Sequence, residues 1–525
     1  MAGLNAIRGP GNVVALVASG VAAAALLPAF YLVIRAFQDG DLALNVLTSE
    51  STLRTTLDTL LLAGATAAAA TAIAVPIAWL TTRTDLPGAK VWAILLALPL
   101  AVPSYVGAFA LVSALGPRGI LQGWLEPLGV DRLPEIYGFF GAWLALTLFT
   151  FPYVLLPARA ALRGTDRSIE EAARSLGKGP METFFRVVLP QIRPAVAAGG
   201  LLVALYTLSD FGAVSILRFD SLSRVIYIQY TGTFDRSAAA IFALILVGVA
   251  IAVLAFEAVT RGRARYHVAV SRGKPPVACL GRWRWPALAY CTLVLLCALV
   301  LPLGVIGYWL VRGLAAGETL VPVWEAGWNS ALASAVAAVL VVTAALPVAY
   351  LGARRRGWLA GIVEKAAYTG HALPGITVAL AFVFLTANYA PWVYQTLALL
   401  VFAYCVRFLP QAVGSCRSSF LQINPQSEEA ARGLGKGPSK VFFRITLPQL
   451  LPGISAAGAL VFLTAMKELP ATLLLSPIGF DTLAVQVWSA SSEAFFARAA
   501  LPALILVALS SIPMVYLVTQ ERRSR

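Results

Sequence analysis

Charge is what this chain of 525 residues has least of: Asp, Glu, Lys and Arg make up 12% of it, about half the roughly 25% usual in soluble globular domains. Histidine occurs twice, as His267 and His371. Neither has companions at metal-ligand spacing, so no metal site is expected. The five cysteines, Cys279, Cys291, Cys297, Cys405 and Cys416, are odd in number and fall in apolar segments or basic loops, which argues against a disulfide framework. No G-x-x-x-x-G-K-[ST] loop exists. The LGKG runs at Leu176 to Gly179 and Leu434 to Gly437 lack the upstream Gly that lets backbone amides wrap a phosphate. Asp210-Phe-Gly212 has no companion kinase motif. The chain therefore carries no nucleotide site, resident cofactor or catalytic residue of its own. Nor does any basic face interleaved with aromatics lie outside the apolar segments, which excludes nucleic acid as a partner.

What fills the space is apolar. Hydrophobic residues make up 59% of the chain and the mean hydropathy is +0.79, so length divided by the usual domain size is the wrong guide. Stretches long enough to cross about 30 Å of hydrocarbon as helices, at about 20 residues each, lie near 13–34, 56–80, 91–113, 136–157, 196–216 and 237–259. A second set lies near 286–311, 329–351, 363–385, 393–413, 453–475 and 499–519. The expected fold is an all-α polytopic membrane protein with about 12 transmembrane helices, six per half. The first segment, preceded by Arg8, has the look of a secretory signal, but its length and the eleven that follow favour a retained helix. With Met1 inside, roughly 30 of the 40 Lys and Arg residues fall on the cytoplasmic side, as the positive-inside rule requires. Both termini are then cytoplasmic, and the formal charge of +15 records topology.

Twenty-six residues occur twice. Glu170 to Ala195 (EEAARSLGKGPMETFFRVVLPQIRPA) and Glu428 to Gly453 (EEAARGLGKGPSKVFFRITLPQLLPG), 258 positions apart, agree at 17 of 26 positions without a gap. Val75 to Trp79 also matches Leu346 to Tyr350, and Pro103 matches Pro374, at an offset of 271. The difference of 13 residues is assigned to Gly116 to Glu135, an elaboration of the first half. Six crossings return the chain to its starting side, so the halves are parallel repeats. They comprise residues 1–259 and 286–525, joined by a basic linker at 260–285. Each cassette reads as a short helix with acidic residues in its first turn and an Ala face almost without bulk. A Gly stop follows, then a Phe-Phe pair and a Leu-Pro that opens the next span. Both copies come out on the cytoplasmic face.

The cassette resembles the EAA motif of binding-protein-dependent ABC importer permeases: Glu171-Ala-Ala, Gly177, Val187 and Leu189-Pro190 fit it, as do Glu429-Ala-Ala, Gly435, Ile445 and Leu447-Pro448. The resemblance covers essentially the whole chain and implies the type I importer permease fold, with both membrane halves on one polypeptide. In that family the short helix is a coupling helix seated in a groove of an ATPase subunit. The residues so implied here are Glu170, Glu171, Ala172, Ala173, Gly177 and Lys178, and Glu428, Glu429, Ala430, Ala431, Gly435 and Lys436. Two ATPase subunits, which bind the ATP and Mg, and a periplasmic or lipid-anchored solute-binding protein are the implied partners, in a bacterial inner membrane.

Ionisable groups within spans are functional suspects by default. Ser209-Asp210 aligns with Lys467-Glu468, placing one carboxylate at a matched site in each half. Asp210, Lys467 and Glu468 are the candidate translocation path; hydration near the outer headgroups, or a Lys467–Glu468 structural pair, would explain them equally. Leu208 to Arg218, Thr233 to Ala239 and Met466 to Leu475 resemble the ferric-iron importer permeases, which implies ferric iron as solute; permeases for thiamine, polyamines or oxyanions share the architecture. An ion-driven carrier of the six-plus-six type would not need the matched cassettes. The loop Thr81 to Lys90 also lacks the G-x-x-x-D-R-x-G-R-R pattern of such carriers.

Overall fold

The structure, a computed structural model, describes residues 10–36, 40–117, 119–130, 133–165, 167–232, 236–261, 278–318, 322–355 and 357–523. Among them the regular structure is helical, with a lone bridge between Thr84 and Ala278. Most of the basic linker, with His267, lies outside the described residues.

The first half runs through α1 (Pro10–Ala36), α2 (Glu50–Arg83), α3 (Ser104–Leu115), α4 (Pro152–Gly164), α5 (Arg167–Ser175), α6 (Leu189–Ser209) and α7 (Arg236–Arg261). The second runs through α8 (Leu301–Ala315), α9 (Val323–Arg354), α10 (Gly375–Tyr389), α11 (Leu397–Gln422), α12 (Pro425–Gly433), α13 (Leu447–Met466) and α14 (Phe496–Arg523). Eleven helices among the described residues are long and apolar enough to cross a membrane. The remaining expected crossing, near 363–385, is divided: Trp358–Tyr368 stops short and α10 restarts after Pro374. Its counterpart near 91–113 is divided in the same way, at Val102-Pro103. Proline forces the preceding residue out of the α region, and Val102 is accordingly extended, at φ −78° and ψ 119°.

The fifth crossings also differ from the expected 196–216 and 453–475. Helix α6 ends at Ser209 and α13 at Met466. The chain then turns into the short helices Gly212–Ile216 and Pro470–Leu475, and a further helix follows each, Leu222–Thr231 and Leu483–Ser492. Unbroken apolar composition hides these interruptions, because hydropathy reports burial in lipid or protein alike.

Within each half three helices form the central bundle: α2, α4 and α6 in the first, α9, α11 and α13 in the second. The first crossing of each half reaches across. Helix α1 packs on α7 and also on α9 and α10 of the other half, with the Asn388 amide donating to the Tyr31 hydroxyl at 3.4 Å. Helix α8 packs on α14 and on α3, where Trp309 donates from its indole to Ser113. The last part of the linker re-enters beside the end of α2. The Ala278 amide donates to the Arg83 carbonyl at 2.8 Å, and the Leu280 amide donates to Asp85 Oδ1 at 2.8 Å. That amide bond, with Arg284 behind it, holds the Asp85 carboxyl below its ordinary pKa, so the contact is present at neutral pH and is lost as acidification protonates the carboxylate.

Helices α4 and α6 meet at Gly199, where a Cβ would lie 2.7 Å from the Val154 Cα and 2.8 Å from the Tyr153 carbonyl oxygen. Backbone on both sides cannot yield. Gly199→Leu is expected to cost about 1–3 kcal/mol or more, read as a lower thermal midpoint in detergent. Gly248→Ala, where the added Cβ meets nothing within 4 Å, is expected to leave the midpoint unchanged or raised.

Candidate functional site

Two places gather the residues singled out by the sequence. The first is the pair of short cassette helices, α5 and α12. Helix α5 and helix α12 each close on a left-handed glycine, Gly177 at φ 81° and Gly435 at φ 76°. The Lys178 and Lys436 amides return to the Ala173 and Ala431 carbonyls at 3.2 and 3.1 Å. This is the Schellman arrangement, which only glycine adopts without strain. Helix α12 starts with Pro425 in its first turn and Asn424 as cap, its side chain accepting from the Gln426 amide at 3.0 Å.

The two glutamates of each cassette face opposite ways. Glu170 and Glu428 are only 4% and 7% exposed, and each meets an arginine at the end of the second helix of its own half. Arg83 Nη1 lies 3.5 Å from Glu170 Oε2, and Arg354 Nη2 lies 3.1 Å from Glu428 Oε1. Glu171 and Ala172, like Glu429 and Ala430, are exposed, while Ala173 and Ala431 are buried against the bundle. The exposed face continues into Leu176 and Leu434, each 80% exposed, and Phe185 and Phe443, beyond the glycine stop and the next short helix, are exposed as well. A π-helical turn opens on each pair, at Phe184–Val188 and again at Phe442–Thr446, and the two rings of each pair meet edge to face with centroids 5.3 Å apart. Phe184 turns inward, its ring centroid 5.5 Å from that of Trp79, and Phe185 stays outside. Each half thus presents a small apolar knob beside an acidic, low-bulk helix.

The second place is a cavity of about 170 Å³ between the halves. All four helix breaks reach it: Pro103 and Ser104, Ser209 to Gly212, Gly370 with Leu373, and Lys467 to Pro470. Asp210 and Glu468 both line it and both are buried within the protein, at 7% and 5% exposure. Each also caps the helix that restarts beyond its break. Asp210 Oδ1 accepts from the Ala213 amide at 2.9 Å, and Glu468 Oε1 accepts from the Ala471 amide at 3.3 Å. The reason is the one that governs any helix start: the first amides have no partner within the helix.

Beyond the caps the two sites diverge. Asp210 accepts from the Ser104 hydroxyl, which in turn accepts from the Tyr206 hydroxyl at 3.2 Å. Glu468 pairs instead with Arg407, Nε to Oε2 at 3.1 Å. The alternative of a Lys467–Glu468 pair is not what the structure has: Lys467 Nζ crosses to the other half and donates to the Leu100 carbonyl at 2.7 Å. In the repeat Gly375 stands where Ser104 stands, and a Cβ there would fall 1.8 Å from Arg407 Nη1. The missing side chain makes room for the guanidinium. Arg407 itself occupies the position of Phe149. Sequence reasoning passed over it, although an arginine inside the apolar stretch 393–413 is the same signal that drew attention to Lys467. Arg407 Nη1 and the Tyr105 hydroxyl are buried at this cavity and have no hydrogen-bond partner among the described residues. Among the described residues no group of three His, Cys, Asp or Glu side chains is placed to hold a metal ion.

Residues 70–265 and again 342–525 match the family of binding-protein-dependent transport system inner membrane components. The two matches take in most of the chain, which belongs to that family of ABC importer permeases and carries its unit twice. It is a multi-pass membrane protein, and a transporter component rather than an enzyme. It is 34% identical over 445 residues to the Fe(3+)-transport system permease protein FbpB 2 of Haemophilus influenzae, covering 84% of each chain. The ferric transport system permease protein FbpB of Actinobacillus pleuropneumoniae is 24% identical, over 85% of this chain and 69% of that one. A probable molybdenum ABC transporter permease protein of Haloferax volcanii is 34% identical, over 35% of this chain and 65% of that one.

Removing one partner of a buried ion pair strands the other, at a cost of about 3–5 kcal/mol. Arg407→Met is therefore expected to lower the thermal midpoint more than the double variant Arg407→Met/Glu468→Gln, in which no charge is left unpaired. Equal losses in the two variants would show that the pair is not coupled.

Proposed function

We propose that this chain is the complete membrane pathway of an importer driven by two separate ATPase subunits, and that its solute is ferric iron delivered by a periplasmic or extracellular binding protein. The single observation behind the ATPase assignment is the pair of solvent-facing EAA helices, one per half, with matched exposed faces and matched stops. ATP and Mg belong to those subunits. The reading treats residues 1–259 and 286–525 as the two permease halves and 260–285 as the linker. Both termini and both cassettes are placed in the cytoplasm, as the distribution of Lys and Arg favours.

The iron assignment is supported by the relatives that align along both halves and are named for ferric transport. Relatives named for sulfate or molybdenum align with about a third of the chain. Ferric iron is a hard cation suited to oxygen donors, and Asp210, Glu468 and the Tyr105 hydroxyl offer oxygen at the cavity. Capture belongs to the binding protein, so the permease needs only a weak passage. ATP-bound closure of the ATPases draws α5 and α12 together and opens the cavity outward; hydrolysis returns it to the cytoplasm.

Glu171→Lys with Glu429→Lys is expected to leave the protein inserted, since both side chains are exposed, and to abolish co-purification of the ATPase. Normal co-purification would remove the cassette from the coupling role. In proteoliposomes holding the permease, its ATPase and an iron-loaded binding protein, radiolabelled ferric iron is expected to enter only with ATP. Uptake driven by an ion gradient without the ATPase would contradict the proposal.

A further inference from the structure

Arg83 and Arg354 sit at corresponding positions, the last residue of the second helix in each half. Each reaches the short helix of its own half through that helix's glutamate, and the end of the preceding crossing through further hydrogen bonds. Arg83 Nη2 donates to the Leu162 carbonyl at 2.8 Å and to the Thr165 hydroxyl, while Nη1 faces Glu170. Arg354 Nη2 donates to the Ile423 carbonyl at 3.3 Å and to Glu428 at 3.1 Å. Each guanidinium therefore gathers the end of the fourth crossing, α4 or α11, and the inward carboxylate of the coupling helix. Arginine's planar fork suits this, since one side chain serves several acceptors at fixed angles.

The surroundings make the joint stiff. In the first half the strand-like return of the linker grips the backbone of Arg83, through the Ala278 amide. In the second, the Thr446 hydroxyl donates to Glu428 Oε1 at 3.2 Å and fixes the carboxylate from the other side. The helices that carry the arginines, α2 and α9, are central to the bundles whose third members, α6 and α13, end at the cavity. A displacement of α5 or α12 has a short, charge-paired route to the pathway.

We infer that Arg83 and Arg354 are positioning residues that transmit movement of the coupling helices to the membrane bundle, through the buried Arg83–Glu170 and the partly buried Arg354–Glu428 pairs. Docking and transmission then reside on different residues of one motif: Glu171 and Glu429 face the ATPase, while Glu170 and Glu428 face the bundle. The inference rests on the coupling-helix reading above.

The test uses the full complex of the chain with its ATPase, with Ser209→Cys, a position lining the cavity, as a reporter for a membrane-impermeant maleimide. With Arg83 and Arg354 intact, labelling is expected to change several-fold between the nucleotide-free complex and the complex trapped with ADP and vanadate. With Arg83→Gln and Arg354→Gln the ATPase is expected to stay bound while labelling no longer follows nucleotide. Arg83→Lys with Arg354→Lys is expected to restore part of the response, and Glu170→Gln with Glu428→Gln to abolish it again. A nucleotide response of unchanged size in both Gln pairs would overturn the inference, as would loss of the ATPase or of membrane insertion in both, which would make the clamp part of the docking surface or of the fold. Absence of ATPase from the complex with both arginines intact would instead defeat the coupling-helix reading itself.

Discussion

In hydrocarbon an unpaired backbone group has no water to turn to, so a helix that breaks must find partners for the amides and carbonyls it releases. This chain breaks four of its apolar crossings, and the arrangement of its interior follows from how those groups are met. Two breaks use proline, which fixes the extended residue before it and, having no N–H, leaves no amide in want of an acceptor. The other two use a carboxylate, Asp210 or Glu468, to accept from the amides of the restarting helix. Bringing all four breaks to one place between the halves makes a polar cavity inside an otherwise apolar bundle. The same side chains that repair the backbone thereby become the polar lining of that cavity.

The repeat explains most of the molecule, and its departures are where chemistry concentrates. Matched glycines close α5 and α12, matched arginines hold them, and matched π-helical turns present the exposed phenylalanines. At the cavity the match is deliberately uneven in chemistry. One carboxylate accepts from a serine, the other from an arginine whose space is vacated by a glycine, and Lys467 ties its half to the Leu100 carbonyl of the other. A fused chain can carry such asymmetry, since each half is free to vary alone.

Much of this was legible in the sequence. Hydropathy placed most of the crossings, and the duplicated cassette located both short helices together with their glycine stops. The interruptions were not legible from hydropathy, because an apolar residue in a broken helix buried by protein reads like one in lipid. Pro103 and Pro374 carried the signal for two of them, since the residue before a proline leaves the α region; Asp210 and Glu468 carried it for the others, as caps rather than as charges in a continuous helix. The inward turn of Glu170 and Glu428 was hidden for a different reason. Helix phase decides which of two adjacent glutamates faces the bundle, and the partner arginines lie more than 70 residues away in sequence. Arg407 was within reach of the rule for ionisable residues in spans and was masked by the aromatic, apolar run around it.

One chain with two outward-facing EAA helices should bind two ATPase subunits. The mass of the intact detergent-solubilised complex, measured by native mass spectrometry, tests this directly. The account predicts one copy of this chain with two ATPase chains, falling to one when either Glu171 or Glu429 alone is reversed in charge. A complex with a single ATPase in the unaltered protein, or two copies of this chain for every two ATPases, would contradict it.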